Sequence, residues 1–164
     1  NEYTHTPTER QRYLAEKMTD WGVDIVIGHH PHVLQPIETR TTADGRQALI
    51  AYSLGNFISA QDRPARMLGG LLSYTVRRET PDSPIEITDV ALIPTVTHYD
   101  RGFTNNRIYL LSQYTNELAQ SHGVRSNYPE FGLDFIQDTL AEVIGRDYLP
   151  AGTLPEEPVQ QNAA

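Results

Sequence analysis

VDIVIGHHPHV, at residues 23–33, is the stretch that decides the fold class of this chain. A nearly continuous apolar run ends at Gly28 and opens into three of the chain's six histidines. A short apolar run of this kind is typical of a buried strand in a layered α/β sheet. Loops at strand ends commonly carry binding and catalytic groups, and neutral imidazole is a common metal ligand. The histidines are therefore the first candidate site.

The segment before this strand predicts a helix. Thr6 can act as the N-cap, Pro7 suits the first helical position, and Glu9 completes a capping box. Gly22 is a natural stop for the helix. The apolar residues between them repeat at helical spacing, at Tyr13, Leu14, Met18 and Trp21. A helix followed at once by a buried strand is half of an α/β layer unit.

The rest of the chain predicts two strand pairs and then two helices. Asp44-Gly45 is a strong turn signal between the first pair. The predicted strands cover 33–39, 47–54, 71–78 and 85–96, and the predicted helices cover 112–121 and 129–144. We expect one domain over residues 1–110, a helical C-terminal extension packing on it over 111–145, and a mobile tail over 146–164.

Composition excludes several classes of function. The formal net charge of -8 argues against nucleic acid as a partner, because phosphate binding requires a basic surface. The absence of cysteine excludes a disulfide framework, a zinc–thiolate site and a thiol nucleophile. No apolar run reaches the roughly 18 residues of a membrane-spanning helix. The chain begins with Asn1 and lacks an initiator methionine, so we expect a longer gene product.

The spacing of the histidines favours one pair of ligands. Side chains at i and i+2 of an extended segment point the same way, so His30 and His32 can face one site, with His29 facing away or lying at its edge. Pro31 should hold His30 in an extended conformation. The segment His30-Pro31-His32 could therefore bind a metal ion or an anion. A single histidine at a strand end is usually structural, and that alternative stays open.

Ligand counting limits the metal hypothesis. A mononuclear catalytic zinc takes about three protein ligands, and a two-metal site also needs several carboxylates. No linking motif connects the histidines to the nearest further candidates, which are Glu2, Glu38, Asp62, His98 and Asp100. The residues alone do not complete a metal site.

Three motifs, in order, carry a resemblance to a known family. They are Asn1-Glu2-Tyr3, the run 22–38 around the histidines, and Tyr52-Ser53-Leu54-Gly55-Asn56-Phe57-Ile58-Ser59. Over about residues 1–110 the chain resembles the bacterial capsule-synthesis family of the CapA/PgsA poly-γ-glutamate type, which is related to calcineurin-like metallophosphoesterases. The family's earlier motifs are absent: an aspartate-bearing strand end, a Gly-Asn-His segment and the His-Trp-Gly that runs into Asn-Glu-Tyr.

The resemblance implies the C-terminal part of a four-layer α/β/β/α sandwich with a divalent-metal site (Mn, Zn or Fe) at one sheet edge. His30 and His32 resemble the last metal-binding motif, with His29 as an alternative first ligand, and Glu2 and Asn56 are the candidate catalytic residues. Half a sandwich would leave an inner sheet face uncovered. The expected partners are therefore the protein's own N-terminal half or a second copy, capsule synthesis and export proteins, and an acidic polymer such as poly-γ-glutamate. The family also implies the bacterial cell surface, with anchoring through a membrane segment upstream.

Three functions remain as hypotheses. The first is a metal-dependent hydrolase-like enzyme of capsule production, inactive as this isolated chain. The second is a non-catalytic component that binds polymer or partner proteins, and the third is a general phosphodiesterase. Arg63 and Arg66 could contact an acidic polymer, although a mobile loop is the preferred interpretation. Gln35 and Glu38 could orient an imidazole, although a solvated hairpin face is preferred for Glu38.

Overall fold

The computed structural model describes residues 1–156, which form an α/β structure with two small sheets. The predicted hairpin is present, and the second predicted strand pair is longer than expected. A sixth strand follows it that the sequence did not predict, and the first of the two predicted C-terminal helices is reduced to its last turns. The elements are α1 (Glu9–Asp20), β1 (Ile25–Ile27), β2 (Leu34–Thr41), β3 (Gln47–Leu54), β4 (Leu68–Arg77), β5 (Glu86–Asp100), β6 (Thr104–Leu110), α2 (Asn116–Ser121) and α3 (Leu133–Val143).

The capping box of α1 lies two residues later than predicted. Thr8 is the N-cap: its hydroxyl accepts from the Gln11 N–H, and the Gln11 side chain accepts from the Thr8 N–H. A glutamine at N3 therefore performs the role that the sequence assigned to Glu9. Thr6 is not the cap, because the chain is not yet helical there.

The apolar residues of α1 do not face the sheet, although apolar residues at helical spacing usually face the core. The helix buries the small residues Ala15 and Thr19 instead. Trp21 remains 78% exposed, and the other large apolar residues of the helix are also exposed. The small buried residues let α1 lie close to the sheet over Ile50 and Tyr52.

The first sheet has the strand order β1-β3-β2. β1 is parallel to β3, with Val26 opposite Ile50, and β2 is antiparallel to β3, with Ile37 opposite Ala51. Alternation along β3 sends Ile50 towards α1, whereas Leu49 and Ala51 point into the main core. This inner face is covered: Leu49 and Ala51 are 1% and 0% exposed. The expectation of an uncovered inner sheet face is therefore wrong for this chain.

The second sheet, β4-β5-β6, is antiparallel throughout and supplies the cover. A single bridge between Gly55 and Gly69 connects the two sheets. The backbones approach so closely there that a Cβ at Gly69 would lie 2.0 Å from the Asn56 carbonyl oxygen. Only glycine fits at such a crossing. The α/β class is confirmed, and the four-layer sandwich stays a prediction.

The C-terminal helical segment packs on the second sheet through two buried histidines. The His122 Nε2–H donates to the Thr97 carbonyl at 2.9 Å, and its Nδ1 accepts from the Val124 N–H at 2.9 Å. His98 on β5 is paired through Nδ1 with the Tyr114 hydroxyl at 2.8 Å. These contacts attach residues 111–145 to β5. The sequence offered His98 only as a candidate metal ligand and gave His122 no role.

Residues after α3 continue along the core. A 3-10 turn covers Arg146–Tyr148, and Tyr148, Leu149 and Leu154 pack partly buried against the main core. The predicted mobile tail also includes residues 157–164, which lie outside the described residues. Among residues 1–156, no helix has both the length and the apolar character needed to cross a membrane.

We expect acid to destabilise the fold through His122. Burial lowers the pKa of His122 from 6.5 to about 4, with the neighbouring His98 lowering it further and the Thr97 carbonyl and Asp100 opposing. The imidazole of His122 is thus protonated at a lower pH in the folded state than in the unfolded chain. The stabilisation is complete above pH 6.5 and is lost as pH falls towards 4, by at most about 3 kcal/mol. Urea unfolding at pH 7.5 and pH 4.5 measures this loss.

The control variants for this prediction are His122→Gln and His29→Gln, since His29 is exposed. The loss of unfolding free energy between the two pH values should be smaller in His122→Gln than in the wild type, and unchanged in His29→Gln. Equal losses in all three proteins would contradict the role of His122.

Candidate functional site

The histidine loop begins where β1 ends and is fixed at both sides. The Gly28 N–H donates to the Ala51 carbonyl at 2.7 Å, and a Cβ at Gly28 would lie 2.5 Å from the Tyr52 carbonyl oxygen. The buried Pro31 accepts a hydrogen bond through its carbonyl from the Ser53 hydroxyl at 3.1 Å. The loop is therefore tied to β3 before and after the exposed His30.

The expectation that Pro31 holds His30 extended is wrong. His30 has φ 103°, a backbone conformation that L-residues rarely adopt. His30 takes this φ within the short span between Gly28 and Pro31, which are both anchored to β3. The side-chain alternation that paired His30 with His32 consequently does not apply.

His32 is nevertheless the most constrained of the three histidines. Its N–H donates to the Glu2 carbonyl at 2.8 Å, and its ring stacks on Tyr3 with centroids 5.7 Å apart and planes at 20°. Its Nδ1 lies 2.9 Å from the Asn56 Oδ1. Three separate contacts thus orient the imidazole.

The Asn56 side chain determines which nitrogen of His32 carries the proton. Its Nδ2 donates to the Arg66 carbonyl at 2.9 Å, so its Oδ1 faces His32 and can only accept. The His32 Nδ1 must therefore donate, which leaves the lone pair of neutral His32 on Nε2. Metal-binding imidazoles are oriented in the same way, by a carbonyl-type acceptor on the other ring nitrogen.

Glu2 brings His30 to the same place. The His30 Nε2 lies 3.4 Å from the Glu2 Oε1, and both side chains are open to solvent, at 76% and 44% exposed. Since the Glu2 carbonyl also binds the His32 N–H, the N-terminal residues connect the two histidines. The structure thus brings together four of the five predicted site residues, Glu2, His30, His32 and Asn56. The fifth, His29, is exposed and makes no hydrogen bond or ion pair within residues 1–156.

The other candidate ligands and orienting residues have partners elsewhere. Glu38 accepts from the Tyr52 hydroxyl at 2.6 Å beneath α1; burial, with this bond, raises the pKa of Tyr52 to about 12. Gln35 is buried between Gln11 and the Thr4 carbonyl, so neither Gln35 nor Glu38 orients an imidazole of the loop.

The acidic candidates lie in other pairs. Asp100 is 3.5 Å from the Nε2 of His98 in the second sheet, and Asp62 is 3.8 Å from Arg66. The imidazole and carboxylate donors around Glu2 suit a divalent transition metal in kind. These donors are too few to hold a metal ion by themselves. Within residues 1–156, no three His, Cys, Asp or Glu side chains form a group that could hold an ion.

Arg66 is the site residue whose placement sequence reasoning missed. Its guanidinium carbon lies 3.7 Å from the centre of the Tyr3 ring, and its carbonyl holds Asn56. The preferred interpretation of this segment was a mobile loop, yet Arg66 belongs to a 3-10 turn at Pro64–Met67 that packs against the site. No local pattern signals this, because Tyr3 and Arg66 are far apart in the sequence.

We expect the hydrogen bond that His32 donates to Asn56 to set the tautomer of His32 in solution. Neutral His32 should carry its proton on Nδ1, and Asn56→Ala should shift the population towards the Nε2–H form, because the acceptor at Nδ1 is lost. Long-range ¹H–¹⁵N correlation spectra at pH 8 distinguish the two forms. His29 serves as an internal control whose signals should not change. An unchanged His32 pattern in Asn56→Ala would contradict this assignment.

Comparison with known proteins supports the resemblance. Residues 1–61 match the family model of the bacterial capsule synthesis protein PGA_cap. The chain is 38% identical over 97 residues to the PGA biosynthesis protein CapA of Bacillus subtilis (strain 168), covering 57% of this chain and 24% of that protein. It is 40% identical over 89 residues to the capsule biosynthesis protein CapA of Bacillus anthracis, covering 54% and 20%. The chain thus spans about a quarter or less of these relatives, and over the matched part it is similar to the CapA type of capsule synthesis protein.

Proposed function

We propose that this chain is part of a protein that acts in capsule or poly-γ-glutamate biosynthesis. The support is that Glu2, His30, His32 and Asn56 all fall within the segment that matches the family model, and that both relatives are named for this process. The cell surface, with anchoring through a segment outside this chain, is part of the same proposal and rests on the family resemblance.

The chemistry that we propose is metal-assisted. His32 Nε2, His30 Nε2 and the Glu2 carboxylate would hold a divalent ion together with residues outside this chain, in the four-layer sandwich that the family implies. Such an ion polarises a phosphoryl or carbonyl oxygen or activates water. The observation that carries the proposal is the pair Asn56–His32, since an imidazole fixed with a free Nε2 lone pair is prepared to act as a ligand. This chain alone should show no turnover.

A second proposal concerns how this chain joins the rest of its polypeptide, and it rests on the surface of α1 and β1. Arg12 and Asp20 of α1 pair with Glu38 and Arg40 of β2, which places this flank of the helix over β2. The opposite flank of the helix falls across the buried Ala15 from Arg12 on the helical wheel. It carries three exposed apolar side chains: Leu14, Met18 and Trp21.

β1 has one edge that faces away from β3. The Asp24 carbonyl and the Gly28 N–H both bond to β3, so by alternation the main-chain groups of Ile25 and Ile27 point away from β3. Within residues 1–156 no strand pairs with that edge. Because α1 leads into the parallel strand β1, a strand before α1 that paired with this edge in the same direction would complete a β-α-β unit. We propose that a strand of the same longer polypeptide occupies this edge.

The metal proposal predicts bound metal in the longer gene product. Plasma mass spectrometry of that protein should find a divalent metal, and His30→Ala and His32→Ala should each lower its occupancy, because each removes a ligand. His29→Ala is the matched control and should keep the metal. Absence of metal, together with unchanged capsule production by a His30→Ala/His32→Ala variant, would contradict the metal proposal. The alternative would then be a non-catalytic component that binds polymer or partner proteins.

The strand proposal predicts a change in amide exchange. The Ile25 and Ile27 amides should exchange rapidly in this chain and slowly in the longer gene product, because a neighbouring strand would accept their hydrogen bonds. The Val26 amide faces β3 and serves as the internal control in both proteins. Rapid exchange at Ile25 and Ile27 in the longer protein would refute the added strand.

A further inference from the structure

We propose that Arg66 binds the anionic group of the substrate at the histidine site, and that Tyr3 holds it there. This inference deepens the proposed function and rests on it. The substrate class that it implies is an oxyanion, either a phosphoryl group or a carboxylate of a γ-glutamyl chain. Two planar oxygens of either group match the fork of a guanidinium.

The first support is that Arg66 is joined to His32 by two routes. Through its side chain, the guanidinium carbon lies 3.7 Å from the Tyr3 ring centre, and the same ring stacks on His32. Through its main chain, the Arg66 carbonyl accepts from Asn56, whose other end accepts from His32. A guanidinium held over an aromatic face is attracted by the ring and loses little freedom when it binds a ligand.

The second support is that the donors of Arg66 are incompletely used. Among described residues its guanidinium makes one hydrogen bond, from Nη1 to the Gln61 Oε1 at 2.8 Å. The nearest carboxylate, Asp62, is 3.8 Å from the same nitrogen, which is too long for a hydrogen bond. Nε and Nη2 make no hydrogen bond within the described residues, and the side chain as a whole is 20% exposed.

The third support is the contrast with Arg63, three residues earlier. Its guanidinium carbon lies 5.1 Å from the centre of the Tyr128 ring, and Nη1 donates to the Tyr128 hydroxyl. That contact directs Arg63 towards the helical segment and away from Tyr3. The two arginines carry the same charge, lie in the same loop and each contact a tyrosine ring. They differ in that only Tyr3, the partner of Arg66, contacts His32. Arg63 is therefore a matched control for Arg66.

The overall charge of the chain disfavours an anionic ligand. The chain carries a formal net charge of -8, which repels an acidic polymer or phosphate ester at long range. Beside the histidines, the Glu2 carboxylate adds a further negative group. A positioned positive side chain would offset this repulsion when an anion binds, and Arg66 is placed to supply it.

The test is calorimetric binding of two probes to this chain without added metal: inorganic phosphate and a γ-linked glutamate tetramer. At least one probe should bind, and Arg66→Gln should weaken it about tenfold, the usual effect of losing a charge-assisted hydrogen bond. Arg63→Gln should stay within twofold of the wild type. Arg66→Lys should fall between, because it keeps the charge and loses the fork. The probe that loses affinity identifies the oxyanion as phosphoryl or carboxylate.

The controls keep this inference separate from the proposed function. Thermal unfolding shows whether each variant folds, and Tyr3→Leu, which keeps Arg66, should weaken the same probe by releasing the guanidinium. Binding of neither probe to the wild type, or equal weakening by Arg63→Gln and Arg66→Gln, would overturn the role of Arg66. Metal occupancy of the longer gene product is measured independently, so its result bears on the proposed function alone.

Discussion

The hydrogen bond between Asn56 and His32 is the interaction on which the arrangement of the site depends. The amide of Asn56 is used at both ends: its nitrogen donates to the Arg66 carbonyl and its oxygen accepts from His32. Exchanging the two ends would set the amide oxygen against the Arg66 carbonyl oxygen and break that bond, so the network favours one orientation. That orientation fixes the tautomer of His32 and ties the loop carrying Arg66 to the loop carrying the histidines. An asparagine after a strand would more often satisfy only its own turn.

The position of Asn56 depends in turn on the junction between the two sheets. Gly55 has φ 66° and bridges Gly69, and no side chain fits at either position. The junction lets the end of β3 lie against the start of β4, with the core residues Leu34 and Leu68 buried on the two sides. The site thus lies where the two sheets meet, and the main core holds its geometry. Stability of the core and orientation of the imidazole are therefore linked.

Much of the fold could be predicted because its signals are local. The strand at residues 25–27 and the hairpin around Asp44-Gly45 follow from apolar runs and turn residues, and both are present. The face of α1 was less predictable, because the sheet accepts the small residues Ala15 and Thr19 and leaves Trp21 exposed. The strand at 104–110 has a mostly exposed, polar sequence and gives no apolar signal. It forms because the edge of β5 offers unpaired main-chain groups.

By itself, the sequence determined the α/β class, the histidine loop and the residue types of the candidate site. These depend on composition and spacing within short segments, and the resemblance to capsule synthesis proteins rests on the same segments. Only the tertiary structure decided that His30 turns with a positive φ, that His32 presents Nε2, and that Arg66 lies over Tyr3. Each of these depends on contacts between residues distant in the sequence, such as His32 and Asn56, 24 positions apart. Local preferences carry no information about such contacts, since the packing of the whole core brings the residues together.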